Sequence, residues 1–71
     1  MALERQVLVY PGEDGYWIAE CLSLPGCVTQ GRTRDEAIAN AKEAIRGYIT
    51  ALEEDRLPVP EERSEAILVS V

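Results

Sequence analysis

The sequence contains no histidine, and that absence removes most enzyme chemistry at once. Without imidazole there is no Ser-His or Cys-His nucleophilic pair, no HExxH metal helix and no imidazole general base. Only two cysteines occur, Cys21 and Cys27, at a spacing that is neither a CxxC redox pair nor half of a four-ligand zinc site. A disulfide across the short loop between them is sterically conceivable, but two buried, reduced thiols are the blander expectation in a cytoplasmic setting. The closely spaced glycines fall in turns and match neither GxGxxG nor GxxxxGK[ST], so no phosphate cradle is expected. No apolar run exceeds a few residues, which excludes a membrane-spanning helix. Residues 1–10 lack the basic start and apolar stretch of a signal peptide, and the cytoplasm is the expected compartment.

Basic residues are scarce as well. Seven Lys and Arg stand against thirteen Asp and Glu, for a net charge of -6 and an isoelectric point near 4.4. Such a field repels phosphate and draws in cationic surfaces, so direct nucleic-acid binding is disfavoured and a basic protein would be steered towards the chain. What remains is ordinary for a folded domain: 46% hydrophobic and 28% charged residues in mixed sign, too apolar for intrinsic disorder. A length of 71 residues predicts one domain over 1–71, with no separate DNA-binding domain and a thin core, since so short a chain buries only about 60% of its unfolded surface.

Along the chain, residues 6–10 (QVLVY) and 16–21 (YWIAEC) read as two strands, joined by the loop PGEDG into a hairpin. Leu24-Pro25-Gly26 predicts a type II turn, because Pro presets the first central position and Gly supplies positive φ at the second. Residues 27–30 would form a third, short strand. At Thr33 the period changes: Thr33 and Glu36 match the capping box, and Ala37, Ile38, Ala41, Ala44, Ile45, Tyr48, Ile49 and Leu52 form one helical stripe. Pro58 and Pro60 cannot continue the helix, and DRLPVPEER reads as an extended return. Residues 66–71 (AILVSV) are the expected last strand. The fold class is therefore α+β with order βββαβ: a three-stranded antiparallel meander, one helix packed on one sheet face, and a fourth strand beside and parallel to the first through a right-handed crossover. Strand one would then be central and strand three an exposed edge.

One helix covers one face of a sheet, yet the strands carry apolar residues at both parities. Val7 and Val9 point one way, Leu8 and Tyr10 the other; Tyr16 and Ile18 oppose Trp17 and Ala19 in the same manner. A second apolar face on so small a domain marks an interaction module or an oligomer. The acids Glu13, Asp14 and Glu20 are close in sequence, but a hairpin tip rich in acids is commonly just solvated. No catalytic residue, metal ligand or cofactor is expected.

The stretch VYPGEDGYWIAECLSLPGCVTQGRTRDEAIANAKEAI resembles the HicB-like antitoxin domain. The likeness lies in the hairpin ending in Gly15-Tyr16-Trp17, the LPGC turn at 24–27, the TQGxT segment at 29–33 and EAxxNAKEAI at 36–45; LPVPEE resembles the family's proline-containing return. The resemblance implies a partially degraded RNase H-like fold and binding to a HicA-like toxin, a small basic mRNA-cleaving protein whose active site the antitoxin occludes. Active RNase H-like nucleases hold paired metals with carboxylates from the first strand, the helix and the fourth strand. Here QVLVY and AILVSV offer no acid, and Glu43 alone cannot hold the metals.

Taken together, these readings predict a non-catalytic domain that self-associates and binds a basic toxin-like protein through its uncovered sheet face and acidic hairpin. Tyr10 and Trp17 would act as anchors, with Glu13, Asp14 and Glu20 as charge partners. The competing class is a homo-oligomeric domain that binds an unknown protein or a small molecule. A basic, toxin-like reading frame of similar size beside the gene would favour the first.

Overall fold

The alternating segments at the start of the chain do form a hairpin. In the computed structural model, which describes residues 4–71, β1 is Leu8–Pro11 and β2 is Trp17–Glu20. They run antiparallel, with Leu8 opposite Glu20 and Pro11 opposite Trp17. A single 3-10 turn at Glu13–Gly15 joins them, closed by a 2.7 Å bond from the Gly12 N–H to the Tyr16 carbonyl. Asp14 occupies the left-handed region at φ 59°, a conformation that Asp tolerates better than most residues.

β2 leads into the Leu24-Pro25-Gly26 turn, where Gly26 takes φ 80° and the Cys27 N–H donates to the Leu24 carbonyl at 3.0 Å. This is the type II geometry that the sequence calls for. β3, Val28–Gly31, then pairs antiparallel with β2, placing Trp17 opposite Gly31. Among the described residues the sheet has the order β1-β2-β3.

The helix α1, Arg34–Glu54, begins at Thr33. The Thr33 hydroxyl accepts from the Glu36 N–H at 3.0 Å, while the Glu36 carboxylate accepts from the Arg32 N–H at 2.9 Å, so the reciprocal arm of the cap lands one residue upstream of the N-cap. At the other end the Leu57 N–H donates to the Leu52 carbonyl and the Arg56 N–H to the Glu53 carbonyl. That pair of bonds is a Schellman motif, with Arg56 at φ 56° where glycine is usual.

The helix stripe meets the sheet in two small clusters. Ala19, Ala37 and Ala41 are buried together, with Val7, Val9 and Trp17 packed against them. Cys21, Leu24 and Cys27 form the second, flanked by Ala44, Ile45, Tyr48 and Ile49. Small side chains at Ala37 and Ala41 allow close approach, and a Cβ on Gly31 would come within 2.5 Å of the Ala37 nitrogen. The Thr29 hydroxyl lies within 3.3 Å of the Ala19 carbonyl and 3.2 Å of the Ala37 carbonyl, linking β2 to α1. Tyr48 reaches the turn, its hydroxyl donating to the Pro25 carbonyl at 2.9 Å. Both cysteines are free and buried, and burial followed by the neighbouring Cys21 raises the Cys27 thiol above its ordinary pKa.

Two expectations about the sheet need correction. Residues 66–71 form no strand and, among the described residues, pair with none, so the expected parallel fourth strand is not formed, and among the described residues β1 is an edge of the sheet along with β3. A carboxylate clamp sets the path instead. Glu62 accepts from the Gln6 N–H at 2.9 Å, the Ser23 hydroxyl at 2.9 Å and the Ser64 N–H at 3.0 Å, and the Arg5 guanidinium donates to Ser23 at 3.0 Å. Past this clamp, Ala66, Ile67 and Leu68 line an open depression with Gln6, Val7, Leu8 and Leu22, beside the start of β1 but not paired with it as a strand.

Candidate functional site

Strand alternation sorts the side chains into two faces. Val7, Val9, Trp17 and Ala19 face the helix, as their packing against Ala37 and Ala41 shows. The register then puts Leu8, Tyr10, Ile18, Glu20, Val28 and Gln30 on the opposite face, which no other described element covers. Leu8, Leu22 and Val28 are each about half exposed, and a helix on only one side of a sheet leaves such a patch as the natural place for a partner.

Of the five residues proposed from sequence, this face unites two. Tyr10 and Glu20 are diagonal neighbours across the β1–β2 ladder, and the Tyr10 hydroxyl donates to the Glu20 carboxylate at 3.1 Å. That bond, then partial desolvation and the carboxylate's charge, holds the Tyr10 hydroxyl above its ordinary pKa. Glu13 and Asp14 sit together in the exposed turn at the hairpin tip, where Asp14 borders a shallow depression with Gly15, Tyr16 and Arg32. They form an acidic rim.

Trp17 is different. It stands opposite Pro11 and Gly31 and packs against the alanine cluster under the helix, so it does not share the open face with Tyr10. The reason is parity: Tyr10 pairs with Ile18, and a residue one place along the strand points the other way. Leu8, Leu22 and Val28 were overlooked as site residues, although the shared parity of Leu8 and Tyr10 already marked the first. Leu22 and Val28 become members only through the turn geometry and the β2–β3 register.

Among the described residues no group of three or more Cys, Asp or Glu is arranged to hold a metal ion, and no helix is long and apolar enough to cross a membrane. The site is a shape and a charge pattern on a small α+β domain, namely a bare sheet face with a hydroxyl–carboxylate pair and an acidic tip. The chain belongs to the HicB-like antitoxin family of bacterial toxin–antitoxin systems, whose profile matches residues 6–69. It is similar to a UPF0150 protein of Thermoplasma acidophilum, 44% identical over 67 residues that cover 94% of this chain and 97% of the relative. A UPF0150 protein of Synechocystis is 46% identical over 56 residues, covering 79% of this chain and 71% of the relative. One from Helicobacter pylori is 42% identical over 55 residues, covering 78% and 75%. No solved structure matches at a significant level.

Proposed function

We propose that this domain is an antitoxin that neutralises a small, basic, HicA-like mRNA-cleaving toxin by covering its active site, without catalysing a reaction itself. The observation that carries the reading is the open sheet face of Leu8, Tyr10, Ile18 and Val28, rimmed by Glu13, Asp14 and Glu20, on a chain of net charge -6. Apolar and aromatic side chains in the middle of such a face supply most of the binding energy, while the acids raise the encounter rate with a cationic surface and repel nucleic acid. The reading carries a cytoplasmic location with it, because the toxin's substrate is mRNA. Self-association belongs to the same proposal, since a free β1 edge and a bare face both invite a second copy. An RNase H-like arrangement would put a fourth strand on that same β1 edge.

The test is to purify the basic protein encoded beside the gene, measure its association and dissociation on the immobilised domain, and assay its RNA cleavage with and without added domain. Tight binding with loss of cleavage is the expected result. If the intact domain neither binds nor inhibits that protein, the antitoxin reading fails and a homo-oligomeric binding domain takes its place.

A further inference from the structure

Cys21 and Cys27 take no part in the open face, yet they are the chain's only thiols and the fold sets them side by side. Both are buried in one cluster with Leu24, beneath Ala44, Ile45, Tyr48 and Ile49 of α1. They stand one step beyond the last registered pair of the β2–β3 ladder, Glu20 opposite Val28, and the Cys21 N–H donates to the Cys27 carbonyl at 3.0 Å. Residues opposed across such a bond have Cα atoms about 5.5 Å apart, within the range of about 4.4 to 6.8 Å that a disulfide spans. Neither thiol is oxidised in this structure.

We propose that Cys21 and Cys27 form a reversible dithiol, closed to an internal disulfide by exchange with a small disulfide oxidant and reopened by a small thiol. The proposal does not depend on the toxin. One cysteine thiolate attacks the oxidant, breaking its S–S bond and releasing one small thiolate; the other cysteine then displaces the second small thiolate from the mixed disulfide as the Cys21–Cys27 bond forms. The two protons lost by the cysteines end on the two released thiols. Two electrons pass from the cysteine sulfurs to the oxidant.

The turn between the cysteines gates this exchange. Both thiols are covered, and burial followed by the neighbouring Cys21 keeps Cys27 protonated, so attack waits for the turn to open at its exposed residues Leu22, Pro25 and Gly26. Once made, the bond reaches beyond the turn. Leu22 and Val28 follow the two cysteines in the chain and lie about half exposed on the open face, so the crosslink ties that end of the face together. The Ser23 hydroxyl donates to Glu62 and accepts from Arg5, which leaves the Cys21 S–H as the donor in its 3.5 Å contact with Ser23. Oxidation removes that donor from the Glu62 clamp.

The experiment equilibrates the full chain with mixtures of reduced and oxidised glutathione, in buffer and in urea, blocks free thiols by alkylation, and maps the peptides by mass spectrometry. The expected result is a Cys21–Cys27 disulfide within one chain, reversed by excess reduced glutathione. Its oxidised-to-reduced ratio should be roughly 50-fold higher in the folded chain than in urea, the loop-closure value for so short a loop. The Cys21 amide should also exchange with solvent more slowly in the oxidised chain, with the helix signal in circular dichroism retained. A ratio no higher in the folded chain than in urea overturns the proposal, because the fold would then not favour the bond. Glutathione adducts or links between chains in place of the internal bond overturn it, as do free thiols at every glutathione ratio or loss of the helix on oxidation. These measurements need neither a variant nor the toxin, so toxin binding stands or falls by its own assay.

Discussion

The Tyr10 hydroxyl donates to the Glu20 carboxylate across the β1–β2 ladder at 3.1 Å, joining the central aromatic of the bare face to its nearest acid. Tyr10 loses its proton only at a pH above its usual value of about 10, because ionising it would break this bond and set two negative charges side by side. The contribution of the pair to stability is present below that range and is lost as pH rises through the raised pKa. In Glu20→Gln, Tyr10 should ionise at lower pH, read from tyrosinate absorbance. An unshifted titration would show that the bond does not form in solution.

At the proposed toxin interface, the open face and the acidic hairpin tip should separate affinity from steering. Tyr10→Ala should mainly speed dissociation, because it removes the aromatic centre of the face. Reversing Glu13 and Asp14 to Lys should mainly slow association at low salt, and matter little at high salt, where the screening length falls towards about 3 Å. Surface binding kinetics at two ionic strengths would check both. Trp17→Ala belongs with the core, and its main effect should fall on the denaturation midpoint.

Glu62 supplies a pH test of the chain's path. Its carboxylate is held below its ordinary pKa by the Gln6 N–H first, and then by the Ser23 hydroxyl, the Ser64 N–H and the charge of Arg5, against an opposing desolvation. A lowered pKa contributes stability above the unfolded value, near 4.3, and loses it as pH falls through the folded one. The Gln6 amide should therefore exchange faster on acidification than the pH dependence of exchange alone predicts. Glu62→Gln should remove that excess.

Core substitutions should follow burial and not the height of the helix stripe. Leu24 is fully buried, whereas Ile45 is only partly so and lines the groove beside β1. Leu24→Ala should cost about 2 to 5 kcal/mol and Ile45→Ala less, towards about 2 kcal/mol. Urea denaturation of the two variants gives the order; the reverse order would mean that the groove is filled.

Two backbone positions should respond in opposite directions. Gly31→Ala pushes a methyl into the Ala37 backbone, an overpacking that costs about 1 to 3 kcal/mol. Arg56→Gly relieves a left-handed residue at the helix end and should stabilise by up to about 1 kcal/mol. Thermal denaturation separates them by sign.

Local chemistry was legible in the residues themselves. The Pro25-Gly26 turn, the Thr33 cap, the helix stripe and the hairpin all depend on neighbours within a few positions, and steric limits on φ with 3.6- and 2-residue periods act at that range. The bare face was legible too, as apolar residues at both parities. Which residues share it was decided by the register, because a shift of one place moves a side chain through the sheet, and so Tyr10 went to the open face and Trp17 to the helix. The course of residues 66–71 was likewise a tertiary matter. Their composition states only that they are strand-prone; that the chain returns beside Gln6 is set by the Glu62 clamp, which joins residues 56 positions apart.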